Sequence, residues 1–252
     1  MATSERDSTS TRKRAAEEAA HRVRSAILSG ELEPGSDLPG ERDLSERLGV
    51  SRLTLRSAIT RLEAEGLVRA VHGSGTRVLD FREHGGVDLV GYLAAQAMEG
   101  GIVPFALLND LLELRRMVAV ELVELVAERA TDDEIRDLRR QLEVQRELVD
   151  DPRKLMTSDL HFARLLVRAS HNLAIELLFN TVARIIDQHP GLELAFQANA
   201  EGTLAVYDRM LELIESRDGR RAARVARRLI GRLDRVTLQR ISVLTGQTYQ
   251  GT

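Results

Sequence analysis

The sequence predicts a mainly α-helical chain in two parts, a small N-terminal part with one β-hairpin and a larger all-helical part behind it. Three observations predict this. Apolar residues recur at helical spacing over most of the 252 residues. One stretch, "LVRAVHGSGTRV" (67–78), alternates on both sides of a glycine-bearing turn, the signature of a hairpin. After Phe81 the composition changes at "REHGGVD", and nearly continuous helical pattern follows to about Leu244.

The elements follow in order. Residues 1–14 are polar, rich in Ser and Thr, with "RKR" at 12–14, and are expected to be a disordered tail. Ala15 to Ser29 supports a helix with Ala19, Val23, Ala26 and Ile27 on one side, stopped by Gly30. "LEPGSDLP" is a turn with two prolines. Glu41 to Leu48 is a short helix burying Leu44 and Leu48, and Gly49 supplies its left-handed C-terminal residue. Ser51 caps a third helix, whose buried side is read as Leu53, Leu55, Ala58, Ile59 and Leu62, and Gly66 ends it. Two helices joined by the short turn "LGVS", then a hairpin, make a winged helix-turn-helix. The expected boundaries are 15–80 for this domain, 81–90 for a linker and 91–245 for an all-helical bundle acting as ligand-binding and dimerisation domain. Breaks in the bundle fall at Pro104, Thr131, Asp151–Pro152, Asn172, Pro190–Gly191 and Asp218–Gly219.

Composition excludes several functions. There is no cysteine, so disulfides, zinc–thiolate sites, iron–sulfur clusters and cysteine nucleophiles are out. No apolar run approaches the ~20 residues of a membrane span, and the N-terminus lacks a secretory signal, so a cytoplasmic protein with no membrane partner is expected. No nucleophile–base pairing or phosphate loop is present, so an enzyme is not expected. Net charge is −3, but 42–77 holds 7 Arg against 4 acids, a local basic excess. Aromatic content is 3%, which argues against base stacking as the mode of recognition.

The helix after "LGVS" places Arg52 and Arg56 one turn apart on one face. An α-helix fits the DNA major groove, where arginine bonds guanine O6 and N7 with both prongs. Thr54 offers a methyl and a hydroxyl, and Ser51 at the helix start can bond a phosphate. Arg42, on the preceding helix, can reach the backbone or a base. At the wing, Gly73 lets the main chain approach closely and His72 can enter the minor groove. Arginine on a helix face is usually plain solvated surface; the helix-turn-helix and hairpin around these two make DNA the expected partner.

The stretch "GELEPGSDLPGERDLSERLGVSRLTLRSAITRLEAEGLVRAVHGSGTRV" resembles the GntR-type winged helix, through the elements "G.L.PG..LP.ER.L...LGVSR.T.R.A...L...GLV....G.GT.V" over residues ~20–78. Gly40 departs from the residue usual before "ER", and Leu53 replaces a polar residue common after "SR", which removes a possible base contact. The helical remainder resembles the FCD ligand-binding domain of the FadR subfamily, through "LLELRRMVAVELVELVAERA" and "DLHFARLLVRASHN".

That resemblance implies a homodimer reading a palindromic operator on double-stranded DNA, released by a small-molecule effector. Most such domains hold a divalent metal with one Asp and three His. Here Asp159 stands at the Asp position, but Ala163, Tyr207 and Leu229 stand where histidines are expected. His161 lies about 200° round the helix from Asp159. No metal cofactor is therefore expected, and His161, His171 and His189 are read as surface or capping residues. The metal-free pattern is similar to that of the fatty-acid-responsive members of the subfamily, which implies a long-chain fatty acyl-CoA as effector and a repressor of fatty-acid metabolism genes. By the same resemblance Arg115 bonds a carbonyl or phosphate, Tyr207 donates its hydroxyl into the space of a missing metal ligand, and Gly231 avoids crowding a cavity. The alternatives are ordinary packing for Tyr207 and Gly231, an ion pair for Arg115 with an acid such as Glu121, and a small carboxylate or sugar acid as effector.

Overall fold

The computed structural model describes residues 2–73, 75–188 and 199–249, with side chains described from residue 10 onward. The chain divides into two compact units, Met1–Leu89 and Val90–Thr252.

In the first unit, α1 runs Ala2–Leu28. The segment expected to be a disordered tail is thus continuous with the helix. No Gly or Pro occurs between Ala2 and Leu28, so nothing stops propagation toward the N-terminus. α1 buries Ala16, Ala19, Ala20, Val23 and Ile27, chiefly against α3. α2 is Glu41–Leu48, and Gly49 closes it at φ 70°. α3 is Arg52–Ala64, capped by Ser51, whose Oγ accepts from the Thr54 amide at 3.1 Å. Leu55, Ala58 and Leu62 of α3 are buried, each large side chain stabilising by roughly 1.5–3 kcal/mol. Leu53, expected on that buried side, is 59% exposed, and the buried position is taken by Thr54.

β1 (Val68–Val71) and β2 (Gly75–Val78) form an antiparallel hairpin with Val68 opposite Val78. Residues 35–38 lie along the free edge of β2. The Gly35 amide donates to the Val78 carbonyl at 2.9 Å and the Leu38 amide to the Thr76 carbonyl at 2.7 Å, so the proline turn ties the wing to the helices. Gly66, between α3 and β1, has φ +73°, and a Cβ there would run into the His84 carbonyl. His84 belongs to α4 (Phe81–His84), a single helical turn inside the segment expected to be a plain linker.

The second unit consists of α5 (Leu89–Glu99, its first residue at the junction), α6 (Phe105–Arg129), α7 (Asp132–Glu147), α8 (Pro152–Ala169), α9 (Leu173–Gln188), α10 (Ala200–Glu215) and α11 (Gly219–Thr245). The sequence breaks become caps. Thr131 and Glu134 form a reciprocal capping box on α7, Asp151 caps α8 with Pro152 in its first turn, and Asp218 caps α11. The expected break at Pro190–Gly191, and His189, lie outside the described residues. The core is built from α6, α7, α8, α10 and α11, with Val123, Leu138, Leu142, Phe162, Leu211 and Ile214 at its centre. No described helix is long and apolar enough to cross a membrane.

Candidate nucleic-acid interface and effector site

The first candidate site lies on α3 and the wing. Arg52 and Arg56 are both exposed, one turn apart. Arg56 Nε and Nη2 donate to the Glu41 carboxylate at 3.0–3.1 Å. Those bonds, foremost, hold the Glu41 carboxyl below the usual carboxylate range and raise the Arg56 guanidinium; Arg52 adds a weaker pull on the same acid. The start of α2 thus holds one arginine of α3 through a planar, two-pronged ion pair. Arg42 is exposed on α2 and pairs with its neighbour Asp43 at 3.4 Å. His72 and Gly73 are exposed at the wing, and Gly73 has φ +77°.

Two expected contacts are placed differently. Thr54 is 5% exposed and its Oγ1 lies 2.8 Å from Ser51 Oγ. It does not share the face of Arg52 and Arg56, since two residues along a helix turn the side chain by about 200°. Ser51 is exposed, but its hydroxyl already caps α3 through the Thr54 amide. Ser51 and Thr54 together fix the helix start, and the exposed surface between the arginines is Leu53. Beneath this face, Arg24 of α1 is 2% exposed and grips Glu65, just past α3, through Nε at 2.7 Å and Nη2 at 2.6 Å. Sequence reasoning does not mark this pair. An arginine on the apolar side of α1, between Val23 and Ile27, is the available signal.

The second candidate site is inside the helical unit. Asp159 of α8 is 7% exposed; Gln145 Nε2 of α7 donates to its Oδ1 at 3.2 Å, and Tyr207 of α10 bonds its carboxyl. The Tyr207 ring stacks on Phe162, centroids 4.6 Å apart. Burial, then the facing Asp159, push the Tyr207 phenol well above its ordinary value. Gln145 Oε1 is buried with no hydrogen-bond partner among the described residues, an acceptor beside the acid. A cavity of about 20 Å³, room for roughly one water, is lined by Asp159, Leu155, Met156, Thr203 and Leu204 among others.

Arg115 acts electrostatically on both Asp159 and Tyr207. Its ion-pair partner is Asp234 of α11 at 2.5 Å, not Glu121, and Arg116 bonds the other oxygen of Asp234 at 2.8 Å. Two guanidiniums thus share one carboxylate that is 4% exposed, leaving a positive excess. Gly231 is buried, yet a Cβ there would meet only Arg116 Cδ at an ordinary 3.6 Å, so crowding does not explain the glycine. His161 is exposed, and His171, at φ 52°, sits with Nε2 3.2 Å from Glu134.

The FCD-type metal does not fit these residues. Asp159 is hydrogen-bonded to an amide and a phenol, and no group of three or more metal-ligating His, Asp or Glu occurs among the described residues. Burial is the largest influence on Asp159 and raises its carboxyl above the usual range. Stability from this group is therefore full at pH below the unfolded carboxyl value and lost as pH rises through the raised folded value. Asp159→Asn is expected to flatten that loss. Thermal unfolding of both proteins across the acidic to neutral range checks it, and parallel curves would contradict it.

Comparison with known proteins bears on both sites. Residues 15–78 match the family described as bacterial regulatory proteins, gntR family, and residues 110–232 match the FCD domain. The chain is 36% identical over 171 residues to the HTH-type transcriptional regulator Rv0494 of Mycobacterium tuberculosis, covering 68% of each chain. It is 33% identical over 195 residues to Mce2R of the same species, covering 77% of this chain and 74% of that one. A fatty acid metabolism regulator protein of Pectobacterium carotovorum is 33% identical over 156 residues, 62% of each. Among solved structures, that of Lar, which controls expression of the Listeria monocytogenes agr system, has TM-score 0.55 at 18% identity, covering 91% of this chain and 97% of that one.

Proposed function

The chain belongs to the GntR family of bacterial transcriptional regulators, a DNA-binding winged helix-turn-helix followed by an FCD domain, and from that premise we propose that it is a homodimeric repressor of fatty-acid or lipid metabolism genes, released from DNA by a long-chain fatty acyl-CoA. The observation that carries the DNA-reading part is the exposed pair Arg52 and Arg56, with Arg56 held by Glu41. Arg42, Ser51, His72 and Gly73 surround the reading face, for phosphate and minor-groove contact. Two-fold symmetry of the dimer matches a palindromic operator.

The fatty-acid assignment is supported by the similarity to the Pectobacterium regulator and by a donor set at Asp159 that does not suit a metal-held carboxylate. Arg115 and Tyr207 are the groups assigned to the effector's carbonyl or phosphate end, with Gln145 Oε1 as a neighbouring acceptor. Release requires the effector to bind the DNA-incompetent state more tightly than the DNA-bound one. One observation favours a second reading, a small carboxylate effector. The cavity beside Asp159, about 20 Å³, holds roughly one water, so this spot by itself has no room for an acyl chain and asks less rearrangement of a small acid.

Operator complexes titrated with acyl-CoAs of increasing chain length separate the two. Long chains are expected to weaken DNA binding by tenfold or more, about 1.4 kcal/mol, while short ones do nothing. Equal indifference to every chain length, with release by a small carboxylate, would reject the acyl reading. Metal analysis of protein purified without chelator is expected to give far less than one equivalent of divalent ion, and a stoichiometric one would overturn the metal-free site.

A further inference from the structure

We propose that the helical unit pairs with a second copy of this chain through two oppositely charged helix faces, α6 of one copy against α11 of the other and the reverse. This rests on the homodimer proposed above. α11 carries eight arginines and a single acid, Asp234, which is buried. Arg221, Arg224, Arg228, Arg232 and Arg235 are all exposed. At 100° per residue they fall within a sector of about 80° on the side opposite the buried Ala222, Ala226, Ile230 and Leu233, and span about 21 Å. None has an ion pair among the described residues. The chain as a whole is acidic, net −3, so this face is a local concentration of charge.

α6 presents the complement. Asp110, Glu113, Glu121 and Glu128 are exposed on one side of it and have no ion pair among the described residues. Between them stand Leu114, 48% exposed, and Met117, 59% exposed. Within one chain α6 and α11 lie antiparallel and packed together. Asp234 meets Arg115 and Arg116, and Gly219 lies against Glu124 and Glu128. The acidic and basic faces are therefore neighbours on one side of the unit.

A two-fold operation can bring α6 onto α6, α11 onto α11, or each onto the other. The first two oppose like charges and are disfavoured; only the crossed arrangement matches charge along both contacts and covers Leu114 and Met117. A nucleic acid seated on the arginines would leave the acidic stripe and its apolar centre unaccounted for.

The test is a charge exchange in the full-length chain, read by sedimentation equilibrium, with circular dichroism confirming fold. One variant carries Arg224→Glu, Arg228→Glu and Arg232→Glu; the other carries Glu113→Arg, Glu121→Arg and Glu128→Arg. Each alone is expected to dimerise at least about tenfold more weakly than wild type, because both of its contacts oppose like charges. An equimolar mixture is expected to recover dimers, since both contacts of the heterodimer are again opposite in sign. The wild-type dimer is expected to weaken with salt. Variants that dimerise as wild type does, or a folded mixture that stays monomeric, overturn the interface. So does a salt-indifferent wild-type dimer, and so does loss of non-specific DNA affinity in the arginine variant with its dimer intact. A wild type that is monomeric at every salt concentration instead removes the homodimer on which the interface rests.

Discussion

Replacing Arg52 and Arg56 together by alanine is expected to abolish sequence-specific DNA binding while leaving the chain folded. Both side chains are exposed on one face of α3, and an arginine that bonds a base edge with two prongs discriminates roughly ten- to a hundredfold against the wrong base. Losing both brings the affinity for an operator down to that for arbitrary DNA. Neither residue contributes to a core: both are exposed, and the Arg56 pair with Glu41 is at the surface, where ion pairs add little. The binding that remains is held by phosphate contacts elsewhere, so it keeps its dependence on salt. Fluorescence anisotropy with an operator duplex and a scrambled one, at several salt concentrations, checks all three points. A double variant that keeps its preference for the operator would move the reading face elsewhere.

The second large effect is on stability. Arg24→Ala is expected to destabilise the DNA-binding unit by about 3–5 kcal/mol, the range for breaking a buried ion pair by removing one partner. The guanidinium is 2% exposed and bonds both oxygens of Glu65, which is itself only 17% exposed. Glu17 stands 3.6 Å away on the same helix and also pairs with Arg61 of α3. Without Arg24 the Glu65 carboxylate is left with little water and no ion pair among the described residues, at the end of α3. For a unit of this size the change lowers the midpoint of thermal unfolding by more than about 10 °C. Arg24→Lys is expected to recover only part, because an ammonium lacks the planar fork. Calorimetry of the full chain checks this, and an unshifted transition would mean that α1 and α3 are held together by apolar packing alone.

The N-terminal domain is legible in the sequence because its signals are local. Gly49 at φ 70° and Gly66 at φ +73° punctuate helices whose caps and apolar spacing are written within a few residues of each other. Leu53 and Thr54 exchange the places that hydropathy gives them, for a physical reason. Hydropathy prefers to bury leucine, but the capping bonds between Ser51 and Thr54 satisfy the threonine hydroxyl, and a satisfied hydroxyl can be buried. The helical angle, not hydropathy, decides between neighbours. The extension of α1 is hidden by a Ser and Thr content that reads as disorder, although nothing in that segment breaks a helix.

The effector site is only half legible. Asp159 and Tyr207 can be placed from the motif around "DLHFARLLVRASHN" and the spacing to Asp218. Gln145 and Asp234 cannot, because their roles depend on which faces of α7 and α11 pack inward. Asp234 does carry a signal, as the lone acid in an arginine-rich helix opposite "RR" at 115–116. An isolated acid of that kind is a candidate for burial with a pair.

Reading of a DNA sequence is assigned to the face formed by α3 and the wing. Selection of bound duplexes from a randomised pool by the full-length protein tests it most directly. The wild type is expected to enrich an inverted repeat, and Arg52→Ala to lose it and retain only salt-sensitive, sequence-indifferent binding. A pool that stays random with folded wild-type protein, or the same repeat enriched by the Arg52→Ala variant, would contradict it.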